Sequence, residues 1–129
     1  MPADRSVLKL FFDGGCRPNP GWMETAVVAG GRVYLRRDEG QGTSSDAEWR
    51  GLMRALEVAR DLGARDIVLV GDCANVIAQA GGKTRCAAKD ALARYEARAA
   101  EFARVRLRAV KRTHNLAGIA LARCRSAAS

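Results

Sequence analysis

The chain has 129 residues, room for one domain and not for two. Hydrophobic residues make up 48% and charged residues 28%, an ordinary globular composition that can bury a core without disulfide staples. Lys and Arg number 22 against 14 Asp and Glu, a formal charge of +8 that suits a polyanion such as nucleic acid; aromatics at 5% are thin for binding single strands by base stacking.

No stretch of about 18 apolar residues occurs, so no membrane span is expected. The first nine residues include Asp4, Arg5 and Lys9 and lack an apolar signal core, which makes the cytoplasm the expected location. Cys16, Cys73, Cys86 and Cys124 show no CxxC or Cys/His ligand spacing and read as reduced thiols.

Taken in chain order, Ser6 to Phe12 is apolar and predicts a strand running into Asp13-Gly14-Gly15. Thr25 to Ala29 and Arg32 to Arg36 flank Gly30-Gly31, a tight hairpin signal. A helix is expected from Ser45 to about Leu62, stopped by Gly63. Asp66 to Val70 reads as a buried strand ending at Gly71-Asp72. Helices follow from about Ala74 to Ala80 and from about Arg85 to Ala103, then a strand from Val105 to Val110 and a helix from Leu116 to about Arg125. The order βββαβααβα implies one α/β domain over residues 1–129, with a mixed sheet covered by helices.

Three acids stand out. Asp13 and Asp72 each follow a hydrophobic strand; if those strands are parallel neighbours, both project from one sheet edge, where α/β proteins bind ligands. Asp13-Gly14 also suits a plain turn. Glu48 fits a capping box with Ser45, yet it heads a helical stripe with Leu52, Leu56 and Ala59 that faces the sheet. Buried charge is unusual unless paired or metal-bound, so three converging acids in a basic protein suggest an oxygen-ligand site for Mg²⁺ or Mn²⁺.

The segments carrying these acids resemble the signatures of type 1 ribonuclease H. Asp13-Gly14-Gly15-Cys16-Arg17-Pro18-Asn19-Pro20-Gly21 resembles the first, Thr43-Ser44-Ser45-Asp46-Ala47-Glu48-Trp49 the second, and Asp72-Cys73-Ala74-Asn75-Val76-Ile77 the third. The resemblance runs the length of the chain, in the family's order and spacing. It implies a five-stranded mixed sheet with helices on both faces, and a nuclease that cuts the RNA strand of RNA/DNA hybrids with two divalent ions and no organic cofactor, monomeric by expectation. By that resemblance Asp13 would bridge both ions, and Glu48 and Asp72 would hold the one that stabilises the leaving oxygen. Glu48 would also lie near the ribose 2′-hydroxyl, and Gly14, Asn19, Ser44, Ser45 and Asn115 would contact the substrate.

The departures are informative. The family's last signature, Arg-x-x-Asn-x-x-Ala-Asp-x-Leu-Ala, matches Arg112 to Ala122 with Asn115, Leu121 and Ala122 in place, but Ile119 stands where the fourth acid belongs, and no Asp or Glu follows Glu101. That loss predicts weakened activity, or a binding module that has kept the fold and lost the chemistry. His114 is the nearby replacement ligand; the plainer reading is a solvent-facing residue before a helix. Ser44 and Ser45 stand for two asparagines and reach less far. Cys16 and Cys73 read as packing residues, or as thiols on the site rim. Arg104, Arg106 and Arg108 alternate with Val105 and Leu107, as the wet side of an edge strand or as phosphate contacts. Trp22 can stack on a base or pack under its loop.

Overall fold

The computed structural model describes residues 6–85 and 88–128. Its elements are β1 (Leu8–Arg17), β2 (Gly21–Ala29), β3 (Arg32–Arg36), β4 (Gln41–Gly42), α1 (Ser44–Asp61), β5 (Asp66–Gly71), α2 (Ala74–Ala80), α3 (Lys89–Ala99), β6 (Arg104–Ala109) and α4 (Leu116–Ala128). The sheet runs β3-β2-β1-β5-β6, and the two-residue β4 adds to the start of β2. Five expected strands are thus present. The sixth, β4, is too short to leave a hydrophobic period in the sequence.

Several boundaries move. The first strand does not stop at Phe12. It continues through Asp13-Gly14-Gly15 to Arg17, because β2 begins at Gly21 and pairs with it as far as Arg17↔Trp22. Asp13 is therefore a strand residue and not a turn residue. The helix expected from Arg85 to Ala103 is shorter, Lys89–Ala99. Cys86 lies outside the described residues. A single 3-10 turn, Arg112–His114, links β6 to α4.

Strands β1 and β5 are parallel neighbours, paired from Leu8↔Ile67 to Phe11↔Val70. Alternation then sorts the two faces. Leu10, Phe12, Ile67 and Leu69 face the main core with Leu52, Ala55, Leu56 and Ala59 of α1. Phe11 and Val28 face the other side, packing near Ala26, Ala117 and Leu121 under α4. Two residues beyond the last β1–β5 pair, one strand carries Asp13 and the other chain segment Asp72, side by side at one sheet edge.

Helix α1 starts one turn earlier than its apolar stripe suggests. Thr43 is the N-cap: its Oγ1 accepts from the Asp46 amide at 3.1 Å, while Asp46 Oδ2 accepts from the Thr43 amide at 2.9 Å. This corrects the expected Ser45–Glu48 capping box. The reciprocal pair satisfies two helix-end donors with Thr43 and Asp46, so Glu48 is released from capping and points at the sheet. Gly63, at φ +73°, ends the helix segment in a conformation that side chains resist.

Candidate metal centre and substrate groove

Small residues set the distance between α1 and β1. A carbon at the Cβ position of Gly14 would fall 1.8 Å from the Ala47 carbonyl oxygen; one at Gly51 would fall 2.7 Å from the Asp13 carbonyl oxygen. The helix and strand backbones touch where Glu48 crosses Asp13. Asp13, Glu48 and Asp72 accordingly converge, each offering a carboxylate oxygen within 4.8 Å of the others.

The electrostatics of the cluster follow from this crowding. Burial is the largest force raising Asp13 above the usual carboxylate range; the hydrogen bond with Glu48 opposes it, Asp72 adds to it, and the Gly14 amide and Arg112 oppose it. Glu48 is pushed up to about 9, first by burial and then by Asp13 and Asp72. Its Oε2 is buried and has no hydrogen-bond partner. Three adjacent carboxyls cannot all ionise without a counter-charge. An orphaned acid oxygen facing two more carboxylates fits a hard divalent cation, which takes oxygen ligands. Asp13, Glu48 and Asp72 are the residues that would hold it.

Asn115 is fully buried and braces the cluster. Its Nδ2 donates to the Phe12 carbonyl at 2.9 Å and to Asp72 Oδ2 at 3.1 Å, and its Oδ1 accepts from the Ala117 amide at 3.1 Å. With its amide hydrogens committed to protein groups, Asn115 positions Asp72. Asn19 and Ser44 also make internal contacts: Asn19 Oδ1 accepts from the Ser44 amide at 3.1 Å and, more loosely, from Cys16 Sγ at 3.6 Å. That link ties the β1–β2 turn to the start of α1. Ser45 is exposed beside it.

A groove of about 630 Å³ runs from the acids between α1 and α4. Asp13, Gly14, Ser44 and Glu48 line it, as do Ile119 and three arginines, Arg17, Arg112 and Arg125. Cys16 is buried on its wall, whereas burial and the neighbouring Glu48 and Asp72 raise the Cys73 thiol. His114 is exposed and lies outside the acidic cluster. Gly118 sits against the acids, its Cβ position 3.4 Å from Asp13 Oδ2 and 3.6 Å from Asp72 Oδ2. The start of α4 therefore abuts the cluster as the last signature requires, but brings a glycine and an isoleucine there. Sequence reasoning missed Arg125: no motif contains it, and only the way α4 crosses β1 brings it to the groove.

This fold, with acids just beyond the paired stretch of two adjacent parallel strands and a third on the crossing helix, defines a ribonuclease H-like domain. A family model described as Reverse transcriptase-like matches residues 26–124. Curated relatives and solved structures agree. The Bifunctional protein Rv2228c of Mycobacterium tuberculosis is 31% identical over 116 residues, covering 80% of this chain and 31% of that protein. The solved N-terminal RNase H domain of Rv2228c superposes with a TM-score of 0.77 at 26% identity, over 90% of this chain and 95% of that one. RNase H1 from the halophilic archaeon Halobacterium salinarum NRC-1 gives 0.77 at 31% identity, over 90% and 94%. LC11-RNase H1, solved in complex with an RNA/DNA hybrid, shares the fold, with a TM-score of 0.75 at 22% identity over 84% and 88%. The chain belongs to the type 1 ribonuclease H family. It spans about a third of the length of the curated relative.

Proposed function

We propose that this chain hydrolyses the RNA strand of RNA/DNA hybrids, with Mg²⁺ or Mn²⁺ held by Asp13, Glu48 and Asp72. The observation that carries the reading is the three-acid convergence, with Glu48 Oε2 buried and orphaned inside it. Bound divalent ions at such a site lower the pKa of an attacking water and stabilise the leaving oxygen. The chain's own residues supply placement. Asn115 fixes Asp72, the Gly14 amide hydrogen-bonds the carboxylates of Asp13 and Glu48, and the α1–β1 contact holds Glu48 over Asp13.

Substrate choice rests on the groove. A hybrid is A-like in shape and is read through backbone phosphates and 2′-hydroxyls in a shallow minor groove. Gly14 and Ser44 line the groove with Glu48, Asn19 accepts from the Ser44 amide and Ser45 is exposed beside it; these are the contacts we assign to the RNA strand. The protein's charge of +8 attracts the duplex while the acid cluster stays local. The LC11 relative's complex with a hybrid supports this substrate class.

Ile119 favours a second reading. Were two ions bound, as the family resemblance implies, Asp13, Glu48 and Asp72 would have to hold both, and Ile119 would supply no oxygen. A weakened second ion gives a slow enzyme, and in the limit a hybrid-binding module. A substrate panel separates the readings: hybrid, single-stranded RNA, duplex RNA and duplex DNA, each end-labelled on either strand. The proposal expects cuts in the RNA strand of the hybrid alone. Salt-sensitive binding of the hybrid with no cut in any strand would establish the binding module.

A further inference from the structure

Arg125 is a charged groove residue that no family signature accounts for. It sits on α4 seven residues after Gly118, about 10 Å further along the helix. Its Nε donates to Glu24 Oε1 at 2.9 Å, and its side chain is 20% exposed. Its Nη2 lies only 2.7 Å from where a Cβ of Gly15 would be, so the guanidinium rests on bare backbone two residues beyond Asp13, on the same strand face. That Nη2 is buried and has no hydrogen-bond partner.

The local charge is not balanced. Glu24 Oε2 also takes Arg37 Nε at 3.0 Å, so one carboxylate serves two guanidinia and one positive charge is left over. Glu24 is correspondingly held below the usual carboxylate range: its burial raises it, and the two arginines more than offset that. If Arg125 were only a tie between α4 and β2, a donor would be buried at a cost with nothing gained from it. Arg125 lines the groove, and a guanidinium fixed there through its Nε by a carboxylate is matched to a phosphodiester oxygen.

We propose that Arg125 is a substrate-positioning residue that grips a backbone phosphate next to the scissile one. This rests on the nucleic-acid reading of the groove. Acids at one end take the reacting phosphate through a cation, and Arg125 sets the strand's register from the other end. Glu24 holds the guanidinium in place before substrate arrives.

The test measures hybrid binding across a range of salt concentrations, using the Asp13→Asn chain to suppress cleavage. Adding Arg125→Gln should weaken binding roughly tenfold and reduce the salt slope by about 1. Arg125→Lys keeps the charge and should keep the slope while losing affinity. In the cleaving chain, Arg125→Gln should raise KM more than it lowers kcat. Thermal midpoints of Arg125→Gln and Glu24→Gln report the structural tie separately. An Arg125→Gln chain with a lowered midpoint but unchanged affinity and slope overturns the proposal and leaves a mere tie. If the Asp13→Asn chain with Arg125 intact binds no hybrid at any salt concentration, the nucleic-acid reading fails, and this inference fails with it.

Discussion

Glu48 is the residue whose environment says most. Its carboxyl is pushed up to about 9 in the absence of a cation, while in the unfolded chain it ionises near 4.5. Between those values the unfolded state has lost the proton and the folded state keeps it. The metal-free fold therefore loses stability as pH rises from about 5 to about 9, because of Glu48. Removing the ionisable group should help: Glu48→Gln raises the metal-free thermal midpoint at pH 8 by about 3–8 °C, read by circular dichroism. A midpoint that does not move, or falls, contradicts the crowded-acid account. Gly14 makes the opposite case. Gly14→Ala forces a methyl into the Ala47 carbonyl, and should cost several kcal/mol, on the order of 3, through a shift of α1 away from β1. Denaturant titration measures it. Ile119→Asp returns an acid to the start of α4, and should tighten divalent-ion binding about tenfold or more by calorimetry; unchanged affinity would mean that position 119 does not reach the ions.

Among the elements, α1 carries the site. Its cap was misread because two overlapping boxes fit the run Thr43-Ser44-Ser45-Asp46-Ala47-Glu48, and local pattern alone does not rank them. The β4 contact and the Asn19–Ser44 bond place the chain so that Thr43 caps. Thr43→Ala should cost about 1 kcal/mol of stability, measured by urea unfolding, whereas Ser45→Ala should cost little. The reach of β1 was likewise illegible from Ser6 to Phe12 alone. Asp13-Gly14-Gly15 looks like a turn until β2 pairs alongside it. By contrast, β3, α2 and β5 could be read directly, while the parallel pairing of β1 with β5 stood in the sequence only as a condition. Their hydrophobic periods, and the Gly30-Gly31 turn between β2 and β3, are local signals.

At the scale of the whole molecule, the three acids were legible because each lies inside a contiguous signature. The bond from Asn115 to Asp72 was not legible, because burial and that contact are tertiary facts that spacing does not encode. Arg125 was invisible for the same reason, since helix crossing alone brings it over Gly15. The chain carries a formal charge of +8 and, among the described residues, one group of three acids able to hold a metal ion, two of which, Asp13 and Glu48, line the groove between α1 and α4. Such a charge plan suits a polyanion that meets a cation at the acids.

The central claim is that this spot performs hydrolysis. Cleavage of an end-labelled RNA/DNA hybrid, titrated with Mg²⁺ and separately with Mn²⁺, tests it in the parent chain beside Asp13→Asn. The account predicts cation-dependent cuts in the RNA strand that vanish in Asp13→Asn. RNA cleavage that persists in Asp13→Asn, or no cleavage by the parent chain at any concentration of either ion, would contradict it.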